Sequence, residues 1–347
     1  MALIMNSWYV AAWPREITEG TILTRTICNE RMILFRDAQG RATALEDRCC
    51  HREMPLSKGW LESGTVRCGY HGMRYDGTGK CIEIPGQTNI PPRARVHHYP
   101  TVERYGWIWV WPGEAAKADP AAIPVIFDRM EHPEWTAIGD TSYVKCNYQL
   151  ISDNLLDLTH ETFIHKTSLG NQAVIEHPIK VVRDDKSVTV QRFIPDHEPA
   201  PFWKAQLFGK LGKHVNADRW QIIRFEPPAN IVLDVGVTPT GRPQQEGTEG
   251  CNTNAITPET ETSTFLFWGF TRKFRREDKE FDARLIDNVR GILAEDRVAC
   301  EAVQDGIDHS KGRPVVDVNA DQGTIIARRM VTDMLKAEQA GKAAAAE

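Results

Sequence analysis

Cys49-Cys50-His51 and, after sixteen intervening residues, Cys68-Gly69-Tyr70-His71 are the two stretches on which the reading of this chain turns. Each offers one thiolate and one imidazole. Two metals served by these loops become chemically distinct, one held by Cys49 and Cys68 and the other by His51 and His71, which is the ligand set of a Rieske [2Fe-2S] centre. A structural zinc site uses the same residue types, but zinc loops commonly pair cysteine with cysteine and histidine with histidine, and these do not. Neutral imidazoles in place of two anionic thiolates raise the reduction potential, which suits a centre that accepts electrons from a reductase. Gly59, Gly64, Gly69 and Gly72 allow tight turns around the loops. Tyr70, Tyr75 and Trp60 either screen the sulfurs from water or pack the core.

Working outward, 347 residues with 41% hydrophobic and 26% charged content describe an ordinary globular chain long enough for two domains. A formal charge of −5 supplies no basic field for nucleic acid. No apolar run reaches the length of a membrane span, and Met1 to Trp13 is too broken by polar residues for a signal peptide, so a cytoplasmic location is expected. Six further cysteines, Cys28, Cys50, Cys81, Cys146, Cys251 and Cys300, are expected as free thiols. Cys50 is expected to turn its side chain away from the metal, as a small loop filler.

The first 115 residues read as short strands with turn signals. Met32 to Phe35 and Ala42 to Glu46 flank Asp37-Ala38-Gln39-Gly40, and Met73 to Tyr75 and Cys81 to Ile84 flank Asp76-Gly77-Thr78-Gly79. Trp107 to Trp111 closes this all-β domain, and Ala115 to Pro124 reads as a connector. Residues 116–347 change texture. Ser187 to Phe193, Trp220 to Arg224, Asn230 to Val237 and Ser263 to Phe270 read as antiparallel strands, Leu150 to His165 and Lys279 to Gln304 as helices, and the tail from Lys336 as frayed chain or a loose helix. The expected fold is α+β, a curved sheet with helices on one face.

The earlier helical stretch carries a second metal-capable group. Asn154, Asp157 and His160 fall at i, i+3 and i+6 of a helix and share a broad face, whereas His165 is rotated by about 140° in a regular helix. Both histidines reach one ion only if the helix bends or ends between them. In the later helix the apolar stripe runs through Leu285, Val289, Ile292, Asp296, Ala299 and Val303. Asp296 thus sits at a core position, where an unpaired carboxylate is costly. Either iron held by His160 and His165 or an arginine such as Arg272 neutralises it. Glu295, off the stripe, is expected to be solvated. Two histidines and a carboxylate on one face of Fe(II) form the facial triad of oxygenases, with positions left open for O2. Phe202, Trp203, Leu207, Phe265 and Phe267 could line an apolar pocket or pack the core. A plain Rieske electron carrier fused to a ligand-binding module, with no oxygen chemistry, is the reading from a different class; His160, His165 and Asp296 argue against it, since a carrier needs no open iron site.

With both motifs in place, the chain resembles the Rieske non-haem iron oxygenase α subunits over essentially its full length. Within them it is most like the vanillate O-demethylase oxygenase group, with dicamba monooxygenase and toluenesulfonate methyl-monooxygenase nearby. Ser7-Trp8-Tyr9-Val10-Ala11, Val102-Glu103-Arg104-Tyr105-Gly106 and Asp218-Arg219-Trp220-Gln221 also resemble that group, more weakly than the ligand motifs. The resemblance implies a Rieske fold followed by a helix-grip catalytic domain. It implies Cys49, His51, Cys68 and His71 on the cluster, and His160, His165 and Asp296 on Fe(2+). Asp157 would be a carboxylate bridging to a neighbouring subunit's cluster in a homotrimer, and Asn154 an amide beside the iron. Cys50 departs from the proline common in relatives. The implied activity is O-demethylation of a methoxylated aromatic acid such as vanillate, in which hydroxylation of the methyl carbon gives a hemiacetal that collapses to a phenol and formaldehyde. Methyl or ring hydroxylation of another aromatic acid or sulfonate is the alternative. NADH would enter through a separate reductase, as no G-x-G-x-x-G fingerprint is present.

Overall fold

The computed structural model describes residues 3–166, 169, 172–211 and 215–346. Its contacts divide the chain into two units, Met1–Ile123 with Thr257–Thr260, and Pro124–Ile256 with Glu261–Glu347.

Among the described residues the first unit is built from short strands: β1 (Tyr9–Ala12), β2 (Leu23–Ile27), β3 (Glu30–Arg36), β4 (Ala42–Glu46), β5 (Trp60–Glu62), β6 (Thr65–Arg67), β7 (Arg74–Tyr75), β8 (Cys81–Glu83), β9 (His98–Tyr99), β10 (Thr101–Arg104) and β11 (Trp107–Val110). They form three antiparallel sheets, ordered β1-β11-β10, β2-β3-β4-β9 and β5-β6-β7-β8. The turns read from sequence form as expected. Asp37 accepts the backbone N–H groups of Gln39 and Arg41, both at 2.9 Å, and Asp76 does the same for Thr78 and Lys80 at 2.9 and 3.1 Å. In each, an aspartate side chain replaces a backbone acceptor and the fourth residue, Gly40 or Gly79, takes a positive φ. One apolar core of this unit gathers Ile33, Phe35, Leu45, Leu56 and Val66 around Cys49 and Cys68, so the two thiols stand inside hydrocarbon.

The second unit contains β12 (Thr136–Val144), α1 (Tyr148–Leu156), α2 (Glu161–Ile164), α3 (Gln172–Glu176), β13 (Lys180–Arg183), β14 (Val188–His197), α4 (Pro201–Leu211), β15 (Ala217–Glu226), β16 (Asn230–Pro239), β17 (Thr248–Thr260, whose last four residues belong to the first unit), β18 (Ser263–Arg272), α5 (Lys279–Ser310) and α6 (Gln322–Ala346). Its strands make one antiparallel sheet ordered β12-β18-β17-β16-β15-β14-β13. The fold is α+β, with α5 packed along β12 and α1 against both α5 and α6. Close packing within the sheet depends on small residues opposite large ones. Trp220 pairs in register with Gly236, where a Cβ would lie 2.1 Å from the indole, and a Cβ on Gly250 would lie 2.3 Å from Phe270.

Two sequence expectations change here. The stretch Leu150 to His165 is not one helix: α1 stops at Leu156 and Asp157 is its C-cap. The Asp157 side chain accepts the Thr159 N–H at 2.6 Å and the Thr159 hydroxyl as well, a local bond that competes with helix continuation. In α5 the buried stripe drifts, ending on Cys300 and Gln304 while Val303 is exposed, because a straight helix of 3.6 residues per turn rotates away from a fixed seven-residue spacing.

Candidate metal centres

The two cysteine loops share one backbone geometry. The N–H of Cys49 donates to the Met54 carbonyl at 2.8 Å and the Glu53 N–H returns to the Cys49 carbonyl at 3.0 Å; Cys68, Met73 and Gly72 repeat the pattern at 2.8 and 3.1 Å. The fourth residue after each cysteine needs positive φ, supplied by Gly72 at 73° and, at a steric cost, by Glu53 at 58°. The loops sit side by side because Gly59 and Gly69 lack side chains: a Cβ on Gly59 would meet the Arg67 carbonyl oxygen at 1.9 Å, and one on Gly69 the Lys58 carbonyl oxygen at 2.5 Å. Cys49 and Cys68 are buried, while His51 and His71 are exposed with ring centroids 4.6 Å apart. Two enclosed thiols beneath two converging imidazoles fit a [2Fe-2S] cluster with an inner and an outer iron.

Around the sulfurs, burial pushes the Cys68 thiol up, while the N–H groups of Tyr70 and His71 aimed at it pull it down. Buried Tyr75 places its hydroxyl 3.0 Å from the Cys49 sulfur and 3.3 Å from that of Cys50. Burial first, and the two neighbouring sulfurs next, keep this phenol protonated and therefore a donor. Two expectations are corrected. Cys50 does not turn away but shares the Tyr75 hydroxyl with Cys49, and Tyr70 and Trp60 are exposed rather than packed in the core.

In the second unit His160 and His165 cap the two ends of the four-residue helix α2, which brings their rings to 5.2 Å between centroids. The Nδ1 of His160 is held by the Asp157 backbone carbonyl, and that of His165 by Glu295 Oε2 at 2.6 Å. Both rings are therefore left with Nε2 facing inward, and Asp296 Oδ1 lies 3.5 Å from the first and 3.1 Å from the second. One donor atom from each of His160, His165 and Asp296 falls within 4.8 Å of the others. Asn154 Nδ2 donates to the same Asp296 oxygen at 3.2 Å, as its place on α1 allows. Burial disfavours charge on His165, yet the hydrogen bonds and charges of Asp296 and Glu295 prevail and raise it to about 9.

Arg272, the alternative partner for Asp296, pairs instead with buried Asp282. Asp157 lies beside the group, but its carboxylate is 4.0 Å from His160 and engaged with Thr159. Glu295 keeps the solvent contact expected of it, with 41% of its side chain exposed, and is also the partner of His165; its position next to Asp296 was the available signal, since adjacent helix residues can serve the metal and its ligand together.

The group opens onto a cavity of about 580 Å3 whose wall includes Leu158, Phe202, Trp203, Val235, Trp268 and Phe270. Of the five apolar residues that read as either pocket or core, Phe202 and Trp203 line it and Leu207, Phe265 and Phe267 do not. Polar groups in the wall were missed: Arg219, Gln221, Asn252 and Asn254, from β15 and β17. A mostly apolar chamber beside an open three-ligand metal site is suited to oxidising a bound organic molecule.

Comparison with known proteins agrees with this geometry. Residues 7–100 match the Rieske [2Fe-2S] domain, and residues 144–337 match the vanillate O-demethylase oxygenase C-terminal domain. The chain is 41% identical to the vanillate O-demethylase oxygenase subunit of Pseudomonas sp. (strain ATCC 19151), over 91% of this chain and 98% of that one. It is 38% identical to the toluene-4-sulfonate monooxygenase system iron-sulfur subunit TsaM1 of Comamonas testosteroni, over 98% and 99%. The crystal structure of dicamba monooxygenase bound to 3,6-dichlorosalicylic acid superposes with a TM-score of 0.90 at 32% identity, covering 98% of this chain and all of that one. Two cofactors follow, a Rieske [2Fe-2S] cluster and a non-haem iron, and with them a reductase partner. The chain belongs to the vanillate O-demethylase family of Rieske non-haem iron oxygenases, as a terminal oxygenase component.

Proposed function

We propose that this oxygenase O-demethylates a methoxylated aromatic acid such as vanillate, with electrons drawn from NADH by a separate reductase. The observation that carries the reading is the convergence of His160, His165 and Asp296 at the wall of an apolar cavity, in a chain that also has a Rieske domain. When bound, the cluster supplies electrons and the iron activates O2, so that the substrate's methyl carbon is hydroxylated and lost as formaldehyde, leaving a phenol.

In this reading Cys49 and Cys68 hold the inner iron of the cluster, His51 and His71 the outer, and His160, His165 and Asp296 the mononuclear iron. Asn154 fixes the Asp296 carboxylate, and Glu295 and the Asp157 carbonyl fix the imidazole orientations. The aromatic and aliphatic wall excludes water, while Asn252 and Asn254 can hold a polar ring substituent. The two domains are taken as residues 1–115 and 116–347. The chain works in the cytoplasm as a homotrimer, with Asp157 bridging His160 to a cluster histidine of the adjacent subunit. Among the described residues no helix is long and apolar enough to cross a membrane.

A methyl-hydroxylating role on an aromatic sulfonate is the second reading, supported by the likeness to TsaM1. The test uses the full chain loaded with both metals, a surrogate reductase and NADH, against a panel of methoxybenzoates and toluenesulfonate. Formaldehyde released in step with phenol from vanillate supports demethylation. Hydroxylation of toluenesulfonate with no formaldehyde from any methoxybenzoate contradicts it.

A further inference from the structure

We propose that Glu161 is a positioning residue for the mononuclear iron, locking α2 onto β15 and so setting the spacing of the two imidazoles at its ends. This rests on the reading of His160, His165 and Asp296 as iron ligands. Glu161 follows His160 directly, and its buried carboxylate, at the wall of the same cavity, is engaged by the sheet. Its Oε1 accepts from Arg219 Nη2 at 2.7 Å and its Oε2 from Gln221 Nε2 at 2.5 Å. All three residues are at least 95% buried, with exposures of 5%, 2% and 2%. Arg219 and Gln221 are two apart on a strand, so both project from one face of β15, and one carboxylate spans them.

The physical need for such a lock is clear from the element that carries it. Helix α2 has four residues, too few to hold its own shape, and α1 has already ended at Leu156. The bonds to Asp157 and Glu295 orient each ring but do not tie the helix between the rings to the sheet. The sheet supplies what the helix lacks. Besides the Glu161 clamp, buried Arg192 on β14 donates to the Leu158 carbonyl at 2.7 Å, fixing the turn before α2. This gives the stretch Asp218-Arg219-Trp220-Gln221, which stood in the sequence without a role, a defined task.

The test is an equilibrium Fe(II) titration of full-length protein that retains its cluster but has been depleted of mononuclear iron, with the Fe(II)–nitric oxide electron paramagnetic resonance signal as a second readout. For Glu161→Ala we expect roughly tenfold weaker Fe(II) binding, the low end of losses seen when groups supporting metal ligands are removed. The nitrosyl signal should change its rhombicity while the cluster absorption stays as in wild type. Glu161→Gln keeps a carbonyl acceptor for one of the two donors and should fall between; it carries the test if Glu161→Ala does not fold. Wild-type affinity and signal in the variants that fold, however far their melting temperature drops, overturn the clamp as a positioning device. Unchanged Fe(II) binding in His160→Ala overturns the ligand reading itself, and the two failures are thereby told apart.

Discussion

At the scale of the residue, each centre is tuned by hydrogen bonds one step removed from the metal. The Tyr75 hydroxyl donates toward the Cys49 sulfur and stabilises electron density there, which favours the reduced cluster. Tyr75→Phe removes that donor, and redox titration should find the potential lower by on the order of 50 mV, roughly a tenfold shift in the one-electron equilibrium as the bond is stronger to the reduced cluster. An unchanged potential would mean that the hydroxyl serves only to fill space. At the iron, Glu295→Ala should weaken Fe(II) binding about tenfold by freeing the His165 ring, measured with the cluster intact. Asp157→Asn should leave both metals bound, because the backbone carbonyl that holds the His160 ring is kept, yet slow turnover by removing the charge that joins adjacent subunits; wild-type turnover would refute the bridge. Sequence went far at this scale for the donors themselves, since Cys, His and a misplaced Asp declare their chemistry. It went less far for Glu295, Glu161 and Arg219, whose partners are distant in the chain and whose residue types are equally at home in solvent.

At the scale of the element, α2 places both imidazoles and the sheet places α2. The sheet in turn relies on close pairings such as Trp220 against Gly236, so Gly236→Ala should cost about 1–3 kcal/mol of stability, seen as a lower denaturation midpoint with an unchanged slope. The strands visible in the sequence were those with regular apolar alternation, β14, β15, β16 and β18. β17 was missed because Thr248–Thr260 is built from threonine, asparagine and glycine, residues that read as loop until a cavity gives their amides a use. β12 and α4 were missed for related reasons, a mixed polar pattern in one and, in the other, an aromatic cluster that reads equally as core or as pocket lining without showing a helical period. The break after Leu156 follows from side-chain competition by Asp157 and Thr159, which helical periodicity does not register.

For the whole molecule, the division of labour between a β-rich electron-accepting domain and an α+β catalytic domain was legible from two motifs and a change of texture. Everything else depends on whether the second group of ligands holds iron. The most direct test counts metal in the full-length protein and in His160→Ala. The account predicts about three irons per chain in the wild type and about two in the variant, with the Rieske absorption unaltered. Two irons in both proteins, or three in both, would contradict it.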